Sequence, residues 1–556
     1  MKIPGILYIP ILTIMVATTS CTSNRITADL ILIHGSVWTG NDAQPRAEAL
    51  AISGDTLLAV GSEKEVLKFK GKDTKLIDLE GKFVTPGFID SHLHFLTGGF
   101  NLASVQLRDA SSKEEFIRRI REYAKTLRPG EWITGGDWDH TLWGGELPDR
   151  NWIDPVTPEN PVFINRLDGH MSLANSMALK LAGVDDKVQE VEGGAIVRDA
   201  KGRLTGIFKE NAEGLVRKAL PEPSPEQADT ALVNAMNYVA SKGVTSVHHM
   251  VGYLDAMERA RDKQTLITRI YCMMPLSRWK DLKNKREKEG LGDKWVKLGG
   301  LKEFVDGSLG SHTALMLSPF ADSPKDKGIM VNSEDSLYKW TLEADKEGFQ
   351  VMIHAIGDRA NRILLDIYES VALLNGPRDR RFRIEHAQHL APTDIPRFGK
   401  LGVIASMQPY HLMDDGRWAE KFIGPDRKKT TYAFKTLLET GATLAFGSDW
   451  YVAPPTPLDG IWGAVTRRTL DDKNPDGWVP EEKITVDQAL KAYTINGAYA
   501  SFEEKIKGTL EPGKLADFTV ISDDLTKIDP VQIREAKILQ TWVGGKKVFE
   551  LKDLRD

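Results

Sequence analysis

The chain has 556 residues, 41% of them apolar, and a formal net charge of −5. That length exceeds one average domain and suits a large barrel with a satellite sheet as well as three small units. Near-neutral charge without a basic stripe excludes a surface that tracks a phosphate backbone, so nucleic acid is not an expected partner.

The N-terminus reads as a targeting element. Lys2 supplies a positive start, and residues 6–16 form an apolar run too short to span a bilayer comfortably. The run leads into Thr18-Thr19-Ser20-Cys21, small residues before a cysteine, so residues 1–21 resemble a bacterial lipoprotein signal in which Cys21 is lipidated. Thr18 departs from the usual Leu, and the competing reading is an ordinary secretory signal with an incidental cysteine. The expectation is an exported protein, tethered by lipid at Cys21 to a bacterial membrane and facing the periplasm or the surface. Thr22 rather than Asp after the cysteine points to the outer membrane where the organism has one. Lipidation would leave Cys272, the other cysteine, without a disulfide partner; in its strand-like run it reads as a buried thiol.

Short β-rich runs at 28–35, 49–55 and 57–61, separated by turn residues, read as hairpins. Similar runs return at 516–521, 538–543 and 547–549. Either end alone would be a small sheet with exposed edges; a composite β-sandwich of 26–84 and 505–556 covers them. The centre, 85–504, alternates differently. Strand candidates at 88–92, 244–249, 267–273, 301–306, 349–354, 382–386, 403–408 and 443–447 are mostly separated by helical periodicity, as at 334–347 and 360–374. Eight βα units predict an α/β fold, a (β/α)8 TIM barrel. About 150 residues lie between the first two strands, too many for a plain connection. They predict a cap insertion over 100–240, with its own strand at 162–165 and a Trp-rich loop.

The polar residues fall where these strands end. His92 and His94 close the first, and residues i and i+2 face the same side. The fifth ends at His354, the sixth at His386 and the eighth at Asp449, while Lys302 lies within the largely apolar fourth. Strand ends of a parallel barrel open on one face, where barrel enzymes keep their active sites. One such histidine would read as structural. Four histidines and an aspartate converging there form a metal constellation of N and O ligands.

These residues sit in motifs that resemble the amidohydrolase superfamily, specifically its YtcJ-like branch (amidohydrolase family 3), which includes N-substituted formamide deformylases. The motifs are the run 85–94, Asp168-Gly169-His170, Lys302 with Asp306-Gly307-Ser308-Leu309-Gly310, the run 354–358, Glu385-His386-Ala387, Gly447-Ser448-Asp449 and the run 513–517. The likeness spans about 28–549, almost the whole mature chain. It implies two divalent metal ions, zinc foremost, with manganese, iron or cobalt also suiting imidazole and carboxylate. His92, His94 and Asp449 would hold the more buried ion, and His354 and His386 the more exposed one. Lys302 would be carboxylated by CO2 to a carbamate bridging both, since an ammonium has donors only. Glu303 competes for the bridge: alternation sends the two to opposite faces, and Phe304 and Asp306 would share that of Lys302. The other reading is an ordinary strand lysine beside a single metal.

The implied activity is hydrolysis of a non-peptide C–N bond in a small-molecule amide, N-formyl or N-acyl substrate. A divalent ion brings bound water to a pKa of about 7, giving hydroxide to attack the carbonyl. Asp449 would take the water's proton and pass it to the leaving nitrogen. In the cap, His170 resembles a substrate-side residue orienting the carbonyl, with Asp168 beside it. Trp138, Gln408 and Tyr451 are candidates to line the pocket, although tryptophans that merely seal the cap explain Trp138 as well. His411, after Gln408, is a further pocket candidate, with a packing role as the alternative. His248 and His249 end the second strand, where one supporting histidine would suffice; His34 and His312 read as structural.

A mononuclear deaminase of the same superfamily would need a glutamate three residues after the fifth-strand histidine, where this chain has Gly357. A cyclic-amide hydrolase stays open. A reading of another class, a surface lipoprotein that binds without catalysis, would be favoured by loss of any ligand, and all are present. Oligomeric state is not legible, though barrels of this kind often pair as homodimers.

Overall fold

Eight short runs, each ending in polar residues, pair in sequence order into one parallel sheet: Phe88–Leu93, Val244–His249, Arg269–Pro275, Val296–Phe304, Gln350–Ala355, Arg383–His386, Ile404–Met407 and Leu444–Phe446. This computed structural model describes Met1 and residues 26–552. The signal segment with Cys21 lies outside the described residues. Among those described, no helix is long and apolar enough to cross a membrane.

The sheet curls into a nearly closed barrel, the expected (β/α)8 arrangement. Among the described residues no ladder joins its eighth strand to its first; a side-chain clasp does so instead. The buried Asp90 carboxylate accepts from the Ser448 N–H (3.0 Å) and hydroxyl (2.5 Å), and the Asp449 N–H donates to the His92 carbonyl (2.7 Å). Gly447 permits this approach, because a Cβ there would lie 2.5 Å from the His92 nitrogen.

The fourth strand starts earlier than the sequence suggests, at Val296, and stops at Phe304. Gly299 and Gly300 lie within it: added Cβ atoms would come within 2.6 Å of the Tyr271 ring and 2.5 Å of Met352. Asp306 leaves the strand because its carboxylate accepts the N–H groups of Leu315 (2.7 Å), Ile356 (3.0 Å) and Gly357 (2.8 Å). Helices Glu334–Lys346 and Asp358–Asn375 stand where periodicity placed them. Cys272 is buried beside Met257, and burial pushes its thiol far up from its ordinary range.

Two flanking sheets meet over a shared core. One pairs Thr56–Gly61, Ala49–Ser53, Ala28–Ile33 and Lys70–Asp78; the other mixes both chain ends, with Phe518–Ile521 antiparallel to Phe83–Pro86. Leu30, Leu32, Leu50, Val84, Phe518, Val520 and Trp542 fill the space between them. A buried ion pair fastens this sandwich to the barrel: Arg269, opening the third strand, donates to both Asp517 oxygens (2.6 and 2.9 Å), one of which also accepts the Gly544 N–H (2.8 Å). Between the first two barrel strands, a six-stranded sheet ordered Gly194–Arg198, Leu204–Glu210, Met171–Ala174, Val162–Arg166, Ile133–Trp138 and Val105–Gln106 builds the cap.

Removing one partner of a fully buried pair leaves the other charge uncompensated. Arg269→Ala should therefore lower unfolding free energy by about 3–5 kcal/mol, measured by urea denaturation, while the double change Arg269→Met with Asp517→Leu recovers most of it. A loss below about 1 kcal/mol would show that the pair does not hold the sandwich to the barrel.

Candidate metal centre and active site

The first strand turns His92 and His94 to the same side, as alternation demands. Each ring brings Nε2 to 3.4 Å from Asp449 Oδ1, carried there by the clasped loop after the eighth strand. His92 is completely buried, and its Nδ1 donates to Glu385 (2.5 Å), whose other oxygen pairs with Arg383 Nε (2.7 Å). The ionised carboxylate can only accept, so the proton sits on Nδ1 and the Nε2 lone pair faces Asp449. Despite the opposing effect of burial, Arg383 and His92 hold Glu385 well below the usual carboxylate range.

Glu385 and His386 are neighbours, and strict alternation would separate them. His386 departs from extended backbone at φ 74°, so its ring also lines the central cavity. His354 lines it too. Its Nε2 donates to the Gly307 carbonyl (3.1 Å), leaving Nδ1 as its lone pair. Burial holds both histidines well below their ordinary range, so they stay neutral and able to ligate. Lys302 turns into this cavity, its Nζ 3.9 Å from the centroid of the Phe304 ring, and burial lowers it to about 8. Glu303 turns away and accepts from Asn332 (3.3 Å). Burial works against charge on Asp449 also, but His92, His94 and His386 hold its carboxyl well below the usual range.

Lys302 Nζ, His92 Nε2, His386 Nδ1 and Asp449 Oδ1 are all buried and have no hydrogen-bond partner in the protein. Two sets of side chains bring ligand atoms within 4.8 Å of one another: His92, His94 and Asp449, and His386, His411 and Asp449. Neutral imidazoles with a carboxylate are a donor set for a divalent transition metal, so these residues fit the implied ions.

The cap hangs His170 over this floor. Its Nδ1 donates to Glu210 (2.9 Å), and its ring centroid stands 5.0 Å from that of His354. Burial opposes a charge on this ring, but Glu210, helped by Asp168, raises it to about 9. Asp168 lines the cavity with both carboxylate oxygens engaged: Oδ2 by Arg166 (2.5 Å) and the Ser308 and Ser311 hydroxyls, Oδ1 by the His170 N–H (3.2 Å). It therefore ties the cap to the loop after the fourth strand and sets His170 in place. Tyr451 lines the inner cavity beside His94, ring centroids 5.8 Å apart.

Two expected pocket residues lie elsewhere. Trp138 is completely buried in the cap core and donates to the Ile164 carbonyl (3.1 Å), leaving no face for substrate. Trp143 likewise packs on Phe116. Gln408 is buried at the end of the seventh strand, where its amide donates to the Ser406 carbonyl (3.3 Å), and it lines neither cavity. His249 accepts the Phe95 N–H (3.0 Å) and donates to the Gly252 carbonyl (2.9 Å), and His248 meets Arg383 (3.0 Å). The residues that sequence reasoning left without a role are Glu385, Arg383, Glu210 and Asp90. Glu385 and Asp90 carried a signal, each standing in a motif with a strand-end histidine.

An inner cavity holds the metal-type ligands and shares Asp168, His170, His386, Asp449 and Val452 with an outer one. Arg166, Ser308, Gln388, His411, Asp414 and Trp418 help line the outer cavity.

Comparison with known proteins places this architecture. Protein LONG AFTER FAR-RED 3 of Arabidopsis thaliana is 42% identical over 539 residues, covering 94% of this chain and 92% of its own. The N-substituted formamide deformylase of Arthrobacter pascens is 28% identical over 550 residues, covering 94% and 98%. A metal-dependent hydrolase from Pyrococcus furiosus superposes with a TM-score of 0.70 at 30% identity, over 90% of this chain and 100% of that one. The amidohydrolase family profile matches residues 75–549. With that match and this set of ligands at the barrel mouth, the chain belongs to the amidohydrolase family, as one of its metal-dependent hydrolases.

Proposed function

We propose that this protein hydrolyses a non-peptide C–N bond of a small amide, with N-formyl and N-acyl amines as the substrate class, at a two-metal centre. The observation that carries this reading is the convergence of four buried, unpartnered polar atoms from Lys302, His92, His386 and Asp449 beneath His170. The likeness to an N-substituted formamide deformylase supports the choice of bond.

His92, His94, Asp449, His354, His386 and a carbamylated Lys302 would hold the ions. CO2 adds to the neutral Lys302 amine with release of a proton, and the product offers oxygens where the ammonium offered donors only. Divalent ions, when bound, supply Lewis acidity toward a carbonyl oxygen and a water of low pKa. Glu385 fixes the tautomer of His92. Asp449 is placed to accept a proton at its unpartnered Oδ1 and to return it to the departing nitrogen, which leaves as amine only once protonated. His170, held as a donor by Glu210, faces the cavity from the opposite side and would orient the carbonyl oxygen. Gly357 stands where the deaminase reading needs a carboxylate. A Cβ there would lie 2.0 Å from the Leu315 carbonyl oxygen, so the backbone leaves no room for one.

Export, with a lipid tether at Cys21, is proposed on the sequence of residues 1–21.

Assayed on a panel of N-formyl and N-acyl amines, Asp449→Asn should lose about 10²–10⁴-fold in kcat with the fold retained. Residual activity near that of the unaltered protein would remove Asp449 from proton transfer. His170→Ala should lower kcat while metal content stays constant; lost metal would instead make His170 a ligand. Glu385→Gln should weaken zinc affinity by about 10–100-fold, read by competition with a chromophoric chelator. An unchanged affinity would leave Glu385 without a positioning role.

A further inference from the structure

The sixth barrel strand carries Arg383 and Glu385 two residues apart, so both side chains turn into the barrel, the guanidinium one layer beneath the carboxylate that holds His92. Arg383 is completely buried. Its Nε stands 2.7 Å from Glu385 Oε1, an ionic contact without the alignment of a hydrogen bond, so charge alone does not fix how the guanidinium is turned. Its other two nitrogens do that. Nη2 donates to the Ser91 carbonyl (2.5 Å) and the Ser406 hydroxyl (2.9 Å), and Nη1 donates to His248 Nδ1 (3.0 Å).

We propose, on the reading that His92 holds a metal ion, that His248 is a positioning residue for that ion, acting through Arg383 and Glu385 on the His92 ring. His248 arrives from the second strand, which stands across the barrel from the sixth in the order of the sheet. A guanidinium only donates, so His248 Nδ1 is the acceptor and its proton sits on Nε2. That Nε2 is buried without a hydrogen-bond partner, beside the Tyr271 ring, whose centroid lies 5.3 Å from that of His248. Burial first, and then the Arg383 charge, holds the imidazole well below its ordinary range, so it stays a neutral acceptor.

An apolar side chain of similar size would bury no orphaned N–H, so packing alone does not account for a histidine here. The nitrogen that accounts for it is the one meeting Arg383. The neighbouring His249, by contrast, spends both ring nitrogens on backbone groups of Phe95 and Gly252. Without His248, Nη1 is a buried donor that has lost its acceptor, and the guanidinium turns away from Glu385 to find another. His92 then loses the fixed carboxylate that keeps its proton on Nδ1 and its Nε2 free for metal.

The test is zinc affinity of the full-length protein in detergent, by competition with a chromophoric chelator, with the thermal transition as the check of folding. His248→Leu and His248→Gln, which place no acceptor at Nδ1, should weaken it about tenfold; His248→Asn, whose Oδ1 falls where Nδ1 was, should stay within about threefold of the unaltered protein. In a Glu385→Gln background, His248→Leu should add less than about threefold, because the path is already broken. Unchanged affinity in the Leu and Gln variants would overturn the proposal. So would an Asn variant as weak as the Leu one, or a further loss of about tenfold in the Glu385→Gln background. One ion per chain instead of two, with the same ranking of variants, would support His248 and overturn only the two-metal reading. An unaltered protein that takes up no zinc would overturn the metal reading, and the role of His248 with it.

Discussion

Keeping a lysine, two histidines and an aspartate buried side by side, each with an atom that no protein group satisfies, costs the fold about 1–3 kcal/mol per orphan. Much of the surrounding structure holds that arrangement in place. Asp90 clasps the eighth strand to the first, so that Asp449 and the His92-x-His94 pair cannot drift apart. Glu385, backed by Arg383, fixes which nitrogen of His92 carries its proton. Asp306 collects three backbone N–H groups and pins the loop after the fourth strand to the end of the fifth, beside His354. None of these groups needs to touch a substrate. Each removes a freedom that would let the orphaned atoms find partners in one another.

The cap works by the same logic from above. Arg166 is wholly buried and shared between Asp168 and Asp139, and Asp168 also takes the Ser308 and Ser311 hydroxyls from the barrel side. Gly310 leaves room for that guanidinium: a Cβ there would lie 2.7 Å from it. The cap is thus fastened to the rim at the turn that carries His170, and the cavity under it is enclosed by covalently distant pieces of chain. Burial of these groups strengthens each electrostatic contact among them.

The barrel was legible in the sequence because each strand is an apolar run ending in polar residues, a pattern with a physical cause in the mouth they share. The start of the fourth strand was not, because Gly299 and Gly300 interrupt the apolar run, and their reason, the crowding of Tyr271 and Met352 against them, is visible only in three dimensions. Trp138 misled for a related reason: a tryptophan between two aspartates resembles a binding loop, yet its indole N–H is satisfied by a cap carbonyl. Glu385 was hidden by the alternation rule, which the positive φ of His386 breaks. Partners such as Glu210 for His170, 40 residues away, belong to cap topology and leave no local signature. Asp517 stood in a motif of the resemblance and proves to be an anchor for Arg269 rather than a site residue.

Whether Lys302 and the surrounding imidazoles hold two ions is tested most directly by metal content per chain, with bicarbonate present, in the unaltered protein and in Lys302→Ala. A carbamate bridge at Lys302 should give about two ions in the first and a clear fall in the second, because the bridging oxygens are lost. One ion in both proteins would contradict it, removing the bridge and pointing to mononuclear chemistry.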